Sequence, residues 1–194
     1  MQKLSKKSLL VVISGPSGVG KDVIIEEMIN QNPSDYHFTI TATTRKSRVN
    51  ELDGVNHYFL SVKEFTLMID NDELLEWAKV YGNYYGVPKK QVTNALRDGN
   101  HVIIRVDVQG AKRIKTVMPE ALLIFIHPPN LDILKNHLIR RGVNSDKDIS
   151  IRLAEAKKEI PQSKTFDYSI INEENKLNET VEKIYKIIST KSQN

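Results

Sequence analysis

Residues 9–31 read LLVVISGPSGVGKDVIIEEMINQ, and this stretch constrains the chain more than any other. The run from Leu9 to Ile13 is apolar without alternation, as expected of a strand covered on both faces. A glycine-rich turn follows. The pattern then resumes with apolar residues at 24, 25, 28 and 29, the spacing of one helix face. A strand, a glycine turn and a helix in direct succession predict an α/β design with a parallel sheet and right-handed crossovers.

The turn has a chemistry of its own. Free backbone N–H groups and the dipole at the start of a helix attract phosphate, and Gly15, Gly18 and Gly20 let the backbone wrap it while Lys21 reaches the outer oxygens. Pro16, Ser17 and Val19 complete the loop. The pattern breaks after the lysine, where a hydroxyl that holds magnesium is expected and the chain has Asp22 and then Val23. A carboxylate adds negative charge beside phosphate, but it can serve if magnesium lies between the two, because that ion takes oxygen ligands of either kind.

Further strand-like runs occupy 102–106, 122–126 and 168–171, separated by helical patterns at 131–141 and 176–189. With 194 residues the chain is read as one domain. Its core is expected at 1–40 and 100–194, an insertion at about 41–99 and a small lid at about 137–155. Within the insertion Ser61 and Glu64 have capping-box spacing, Pro88 can open a second helix, and a glycine turn at 81–83 separates strand-like pieces. Arg45 and Arg48 lie three apart, as two guanidinium forks able to chelate one phosphate. Glu76 and the pair Tyr84 and Tyr85 flank the glycine turn.

Composition narrows the class. No apolar run approaches the ~20 residues that a bilayer span requires, and the short run at 9–13 leads straight into the glycine loop without a cleavage-site pattern, so it is read as a strand. The chain has no cysteine, which excludes disulfides and thiolate chemistry and fits a cytoplasmic setting. A net charge of +4 suits polyphosphates and is too small and dispersed to argue for nucleic acid. No membrane or protein partner is implied. His37, His101 and His127 lack the short spacing of zinc ligands.

Taken in order, GPSGVGK, TTR-x-x-R, EWA with GNYYG, VDVQGA, RRG before a helix containing Arg152, and IIN resemble the guanylate kinase family over nearly the whole chain. The resemblance implies a P-loop three-layer α/β/α core with a parallel sheet, a mixed α+β insertion that binds GMP, and a helical lid. It also implies phosphoryl transfer from ATP to GMP, and to dGMP, with magnesium. By that likeness Thr41 and Glu76 meet guanine, while Arg45, Arg48 and Tyr85 hold the GMP phosphate, with Glu51 and Asp107 on the same side. Lys21, Arg45, Arg141 and Arg152 carry the chemistry. Asn172 lies with residues 15–22 on the ATP side, and Asp22 and Asp107 are the magnesium candidates.

The likeness is incomplete in places. The phosphate-binding tyrosine of the family aligns with His57, and Tyr58 replaces it only if a one-residue bulge intervenes. Val87 stands where a serine or threonine is usual, and His137 where the first lid arginine is, with Arg140 three residues on. Arg105 stands where the resembled enzymes carry a carboxylate, two residues before Asp107 and expected on the same strand face. The expectation is that Arg105 and Asp22 offset one another. Two other readings stay open: a guanylate-kinase-like module that binds a protein without turnover, and a kinase for another nucleoside monophosphate.

Overall fold

The first strand, β1 (Leu10–Ser14), is buried along its whole length and divides its side chains between two cores. Val11 and Ile13 pack on one face with Ile24, Met28, Val181, Ile184 and Ile188. Leu10 and Val12 pack on the other with Val92, Ala95, Ala111 and Ile114. Helices on both faces explain why the sequence shows continuous apolar runs rather than alternation. The computed structural model describes residues 7–31, 34–80, 82–140 and 145–193.

Around β1 the order of elements is α1 (Lys21–Gln31), β2 (Tyr36–Phe38), β3 (Ala42–Thr43), β4 (Tyr58–Phe59), α2 (Val62–Asp70), β5 (Leu74–Val80), β6 (Asn83–Pro88) and α3 (Lys89–Arg97). There follow β7 (His101–Arg105), α4 (Val108–Val117), β8 (Leu122–His127), α5 (Leu131–Arg140), α6 (Asp146–Glu159), a 3-10 turn (Ile160–Thr165), β9 (Tyr168–Ile171) and α7 (Leu177–Ser192). The main sheet runs β2-β7-β1-β8-β9 with every pairing parallel. Because β1 sits between β7 and β8, the chain leaving it enters the crevice at the carboxyl ends of the strands, where ligands of open α/β sheets bind.

A second sheet, β4-β3-β6-β5, is built from residues 42–88 and packs Ala42, Phe65 and Leu74 beneath α2. Ser61 and Glu64 form the capping box that starts α2. Strands β5 and β6 pair antiparallel, with Val80 opposite Asn83. Helix α3, expected within the insertion, sends Val92 and Ala95 into the core of the main sheet. One expectation shifts. The strand at 102–106 ends at Arg105, and Asp107 is the N-cap of α4, with its carboxylate accepting from Gly110 N at 2.7 Å, so Arg105 and Asp107 do not share a strand face. The edge strand β2 has no signature in the sequence beyond Tyr36 and Phe38.

Ile124 is fully buried in the centre of β8. Truncation to alanine removes three buried carbons and leaves a cavity, so Ile124→Ala is expected to cost about 3 kcal/mol, seen as a lower urea midpoint with an unchanged slope.

Candidate active site

The strand-to-helix turn lies directly on β8. A Cβ built on Gly15, whose φ is 144°, would come within 2.3 Å of the Ile126 carbonyl oxygen, so no other residue fits there. The turn is then braced from three sides. Asn172, just past β9, donates from Nδ2 to Val19 O at 2.9 Å and accepts from Thr180 at 3.2 Å. His137 on α5 meets Gly18 O at 3.2 Å, and Arg152 on α6 donates to Ser17 Oγ at 2.8 Å. Lys21 folds back on its own loop, donating to Gly15 O at 2.5 Å and Pro16 O at 3.0 Å.

The loop forms one end of a cavity of about 420 Å³. Gly15, Ser17, Gly18, Gly20, Lys21, Asp22 and Arg152 line this end, and Thr41, Arg45, Arg48, His57, Glu76 and Tyr85 line the other, with Arg105 and Asp107 also in the wall. Pro16 and Val19 contribute backbone outside the lining, and Asn172 likewise acts behind the loop. Arg141 lies outside the described residues.

At the far end the groups are pre-positioned by partners. Glu51 does not line the cavity; it takes Arg45 in a fork at 2.6 and 2.7 Å and the Arg48 backbone N–H at 2.8 Å. The Arg45 bond, with that backbone donor, holds Glu51 down at about 2. His57 is buried and shares a 2.7 Å hydrogen bond with Thr41 Oγ1. Tyr58 follows it on the opposite face, exposed and outside the lining, so no bulge brings it in and His57 is the residue at the cavity. Burial, then Arg105 and Arg45, depress His57 to about 4, leaving a neutral imidazole near neutral pH.

Glu76 is 7% exposed and raised by burial, with Arg113 opposing the rise from 2.8 Å through Nε. A Cβ on Gly110 would stand 2.8 Å from Glu76 Oε1 and 3.0 Å from Val106 Cβ, so a larger residue there would displace the Glu76 carboxylate. Arg113 escaped the sequence reading because a basic residue on a helix otherwise looks like solvated surface. Glu155 and Glu159 were also missed; with Arg152 they fall at i, i+3 and i+7 on α6, a spacing that did carry the signal. Burial pushes Glu159 up to about 7, against the pull of Lys21.

Residues 7–191 match the family model for guanylate kinase. The chain belongs to the guanylate kinase family. It is 46% identical over 168 residues to the guanylate kinase of Carboxydothermus hydrogenoformans, covering 87% of this chain and 82% of that one. With the guanylate kinase of Caldanaerobacter subterraneus subsp. tengcongensis it shares 43% identity over 185 residues, 95% and 88% of the two chains. The crystal structure of guanylate kinase from Anaplasma phagocytophilum superposes with a TM-score of 0.82 at 27% identity, over 98% of this chain and 89% of that one. The SH3-kinase fragment of tight junction protein 3 shares the fold alone, with a TM-score of 0.52 at 12% identity over 97% and 58%.

The departures of this guanylate kinase family member are visible in the same cavity. Arg105 Nη1 and Asp22 Oδ1 form an ion pair, so the carboxylate in place of a hydroxyl has its charge offset by a guanidinium. Asp107 Oδ1 accepts from Gly110 N–H, and the residue lines the cavity. Magnesium ordinarily needs only one or two carboxylates besides phosphates and water. Asp107 and Asp22 both line the cavity with carboxylates of the kind that fits that role, Asp22 with its charge offset by Arg105.

Two outcomes follow from this geometry. Glu51→Ala frees Arg45 and Arg48, and is expected to raise KM for GMP about 10- to 100-fold with KM for ATP unchanged, measured by steady-state kinetics. Because burial raises Glu76, its carboxyl takes up a proton as pH falls through a value above the usual carboxylate range. The acid limb of kcat/KM for GMP is therefore expected above pH 4.5. Arg113→Ala removes the opposing cation and moves that limb higher still.

Proposed function

We propose that this chain transfers the γ-phosphoryl group of ATP to GMP and dGMP, yielding ADP and the guanosine diphosphate. The observation that carries the reading is one cavity holding both a phosphate-wrapping loop with Lys21 and, opposite it, paired arginines beside a buried carboxylate. Guanine presents donors at N1 and N2, which an ionised Glu76 accepts, and the Thr41 hydroxyl adds a second polar group. Adenine offers an acceptor at N1 instead, and a buried mismatch of this kind costs a factor of about 10⁴.

Arg45 and Arg48 grip the acceptor phosphate, Tyr85 supports Arg45, and the loop amides with Lys21 hold the donor. An oxygen of the GMP phosphate then attacks the γ-phosphorus. The bond to the β–γ bridging oxygen breaks, and its electron pair stays on ADP. No side chain acts as a nucleophile; positioning and positive charge do the work, with Arg152 and Arg141 as the lid contribution. Magnesium, when bound with ATP near Asp107, supplies further charge neutralisation on the phosphates. Closure of α6 over the loop excludes water that would hydrolyse ATP. Among the described residues no helix is long and apolar enough to cross a membrane, and we place the reaction in the cytoplasm.

The test is a coupled ADP-release assay with ATP, magnesium and, separately, GMP, dGMP, AMP, CMP and UMP. Turnover is expected with the two guanine nucleotides, and Lys21→Ala is expected to lower kcat by about 10²–10³-fold. Tight GMP binding without turnover, or a preference for AMP or UMP, overturns the reading.

A further inference from the structure

We infer that Arg105 is a phosphoryl-binding residue of this site and that Asp22 is the positioning residue that holds it. The inference rests on the proposed phosphoryl transfer and deepens it. Arg105 closes β7 in register with Ile13 of β1, the strand that runs straight into the loop, so its backbone stands next to the donor site. Its side chain reaches Asp22 in the first turn of α1 and is only 26% exposed, in the wall of the cavity that both sets of residues line. Its charge is also felt at His57, on the acceptor side, where it helps to keep the imidazole neutral. One guanidinium is therefore in electrostatic reach of both phosphate-binding sets.

The hydrogen-bond inventory points the same way. A guanidinium carries five N–H donors, and among the described residues Asp22 is the one protein acceptor of Arg105, through Nη1. Among the described residues no other hydrogen bond of Arg105 takes up its remaining donors, and the residue lines a cavity bordered by the phosphate-wrapping loop. Asp22 in turn sits where a triphosphate would meet a bare carboxylate. Paired with Arg105 it presents no net charge to the donor and fixes the rotamer of a long side chain before substrate arrives. While the bond between the γ-phosphorus and the GMP oxygen forms and that to the bridging oxygen breaks, charge spreads over the migrating group's equatorial oxygens. A fixed guanidinium between donor and acceptor stabilises that charge more than it stabilises either bound substrate.

The test compares Arg105→Met, Arg105→Lys, Asp22→Ser and the double variant Arg105→Met/Asp22→Ser in the full chain. Calorimetric titration with GMP alone and with ATP alone is run beside steady-state kinetics. Arg105→Met is expected to lower kcat about 100-fold while both dissociation constants stay within about threefold of the unsubstituted protein. Retained binding also certifies that the variant is folded. Arg105→Lys recovers part of the loss. Asp22→Ser alone lowers kcat about tenfold, and the double variant is no slower than Arg105→Met, because Asp22 acts only through Arg105. A double variant as active as the unsubstituted protein would mean that the pair merely offsets charge, and overturns the inference. Multiplicative losses overturn the positioning role of Asp22, and an unimpaired Arg105→Met overturns the whole. Absence of GMP turnover in the unsubstituted protein removes the proposed function and this inference together, whereas turnover with a normal Arg105→Met removes the inference alone.

Discussion

The contact on which the site depends is the approach of the Gly15 backbone to the Ile126 carbonyl. It presses the turn after β1 onto β8, with a separation that a single Cβ would close to 2.3 Å. From there the loop has one course, into the first turn of α1, where Ile24 N–H donates to Gly20 O at 3.0 Å. The parallel order β7-β1-β8-β9 supplies what surrounds it: Arg105 from one neighbour, Asn172 from beyond the other, and the α5 and α6 side chains above. Fold and site are linked through this single packing constraint, since a loop lifted from β8 would lose all of those partners at once.

A common device recurs among the charged groups. Arg45 is gripped by Glu51, Arg105 by Asp22 and Glu76 by Arg113; Arg45 and Glu76 line the cavity while their partners do not, and Arg105 and Asp22 both line it. Long charged side chains lose rotamer freedom when they bind a ligand; holding them beforehand lowers that loss at the moment of binding. The device also controls protonation. Glu76 is buried where a carboxyl tends to become neutral, and Arg113 opposes that tendency. His57 is buried next to two cations and stays neutral, available to hydrogen-bond Thr41 without adding charge.

The sheet strands and the glycine loop were legible because their signals are local: β1 is an apolar run, and the 15–21 turn has glycine where the backbone needs positive φ. The Ser61 capping box was legible for the same reason. Strands of two or three residues such as β2 and β3 are made by pairing with distant partners and leave almost no pattern of their own, whereas β4 at Tyr58–Phe59 falls in a piece that reads as strand-like. Orienting partners were harder still. Glu51 looked like a ligand because it sits near ligands, and its role as a bracket for Arg45 depends on a loop conformation that spacing does not encode. Arg113 meets Glu76 only because α4 docks on β5 at Gly110. The Asp22 and Arg105 pair could be anticipated as a charge balance, but the strand end at Arg105 and the capping duty of Asp107 could not.

The central claim is that donor and acceptor occupy opposite ends of one cavity, with the loop amides at one end and Arg45 and Glu76 at the other. The most direct measurement is calorimetric titration with an adenosine and a guanosine joined through a five-phosphate chain, followed by displacement with ATP and with GMP. The account requires one molecule per chain, bound more tightly than either nucleotide and displaced by both. Displacement by only one of the two, or affinity no better than that of ATP alone, would contradict it.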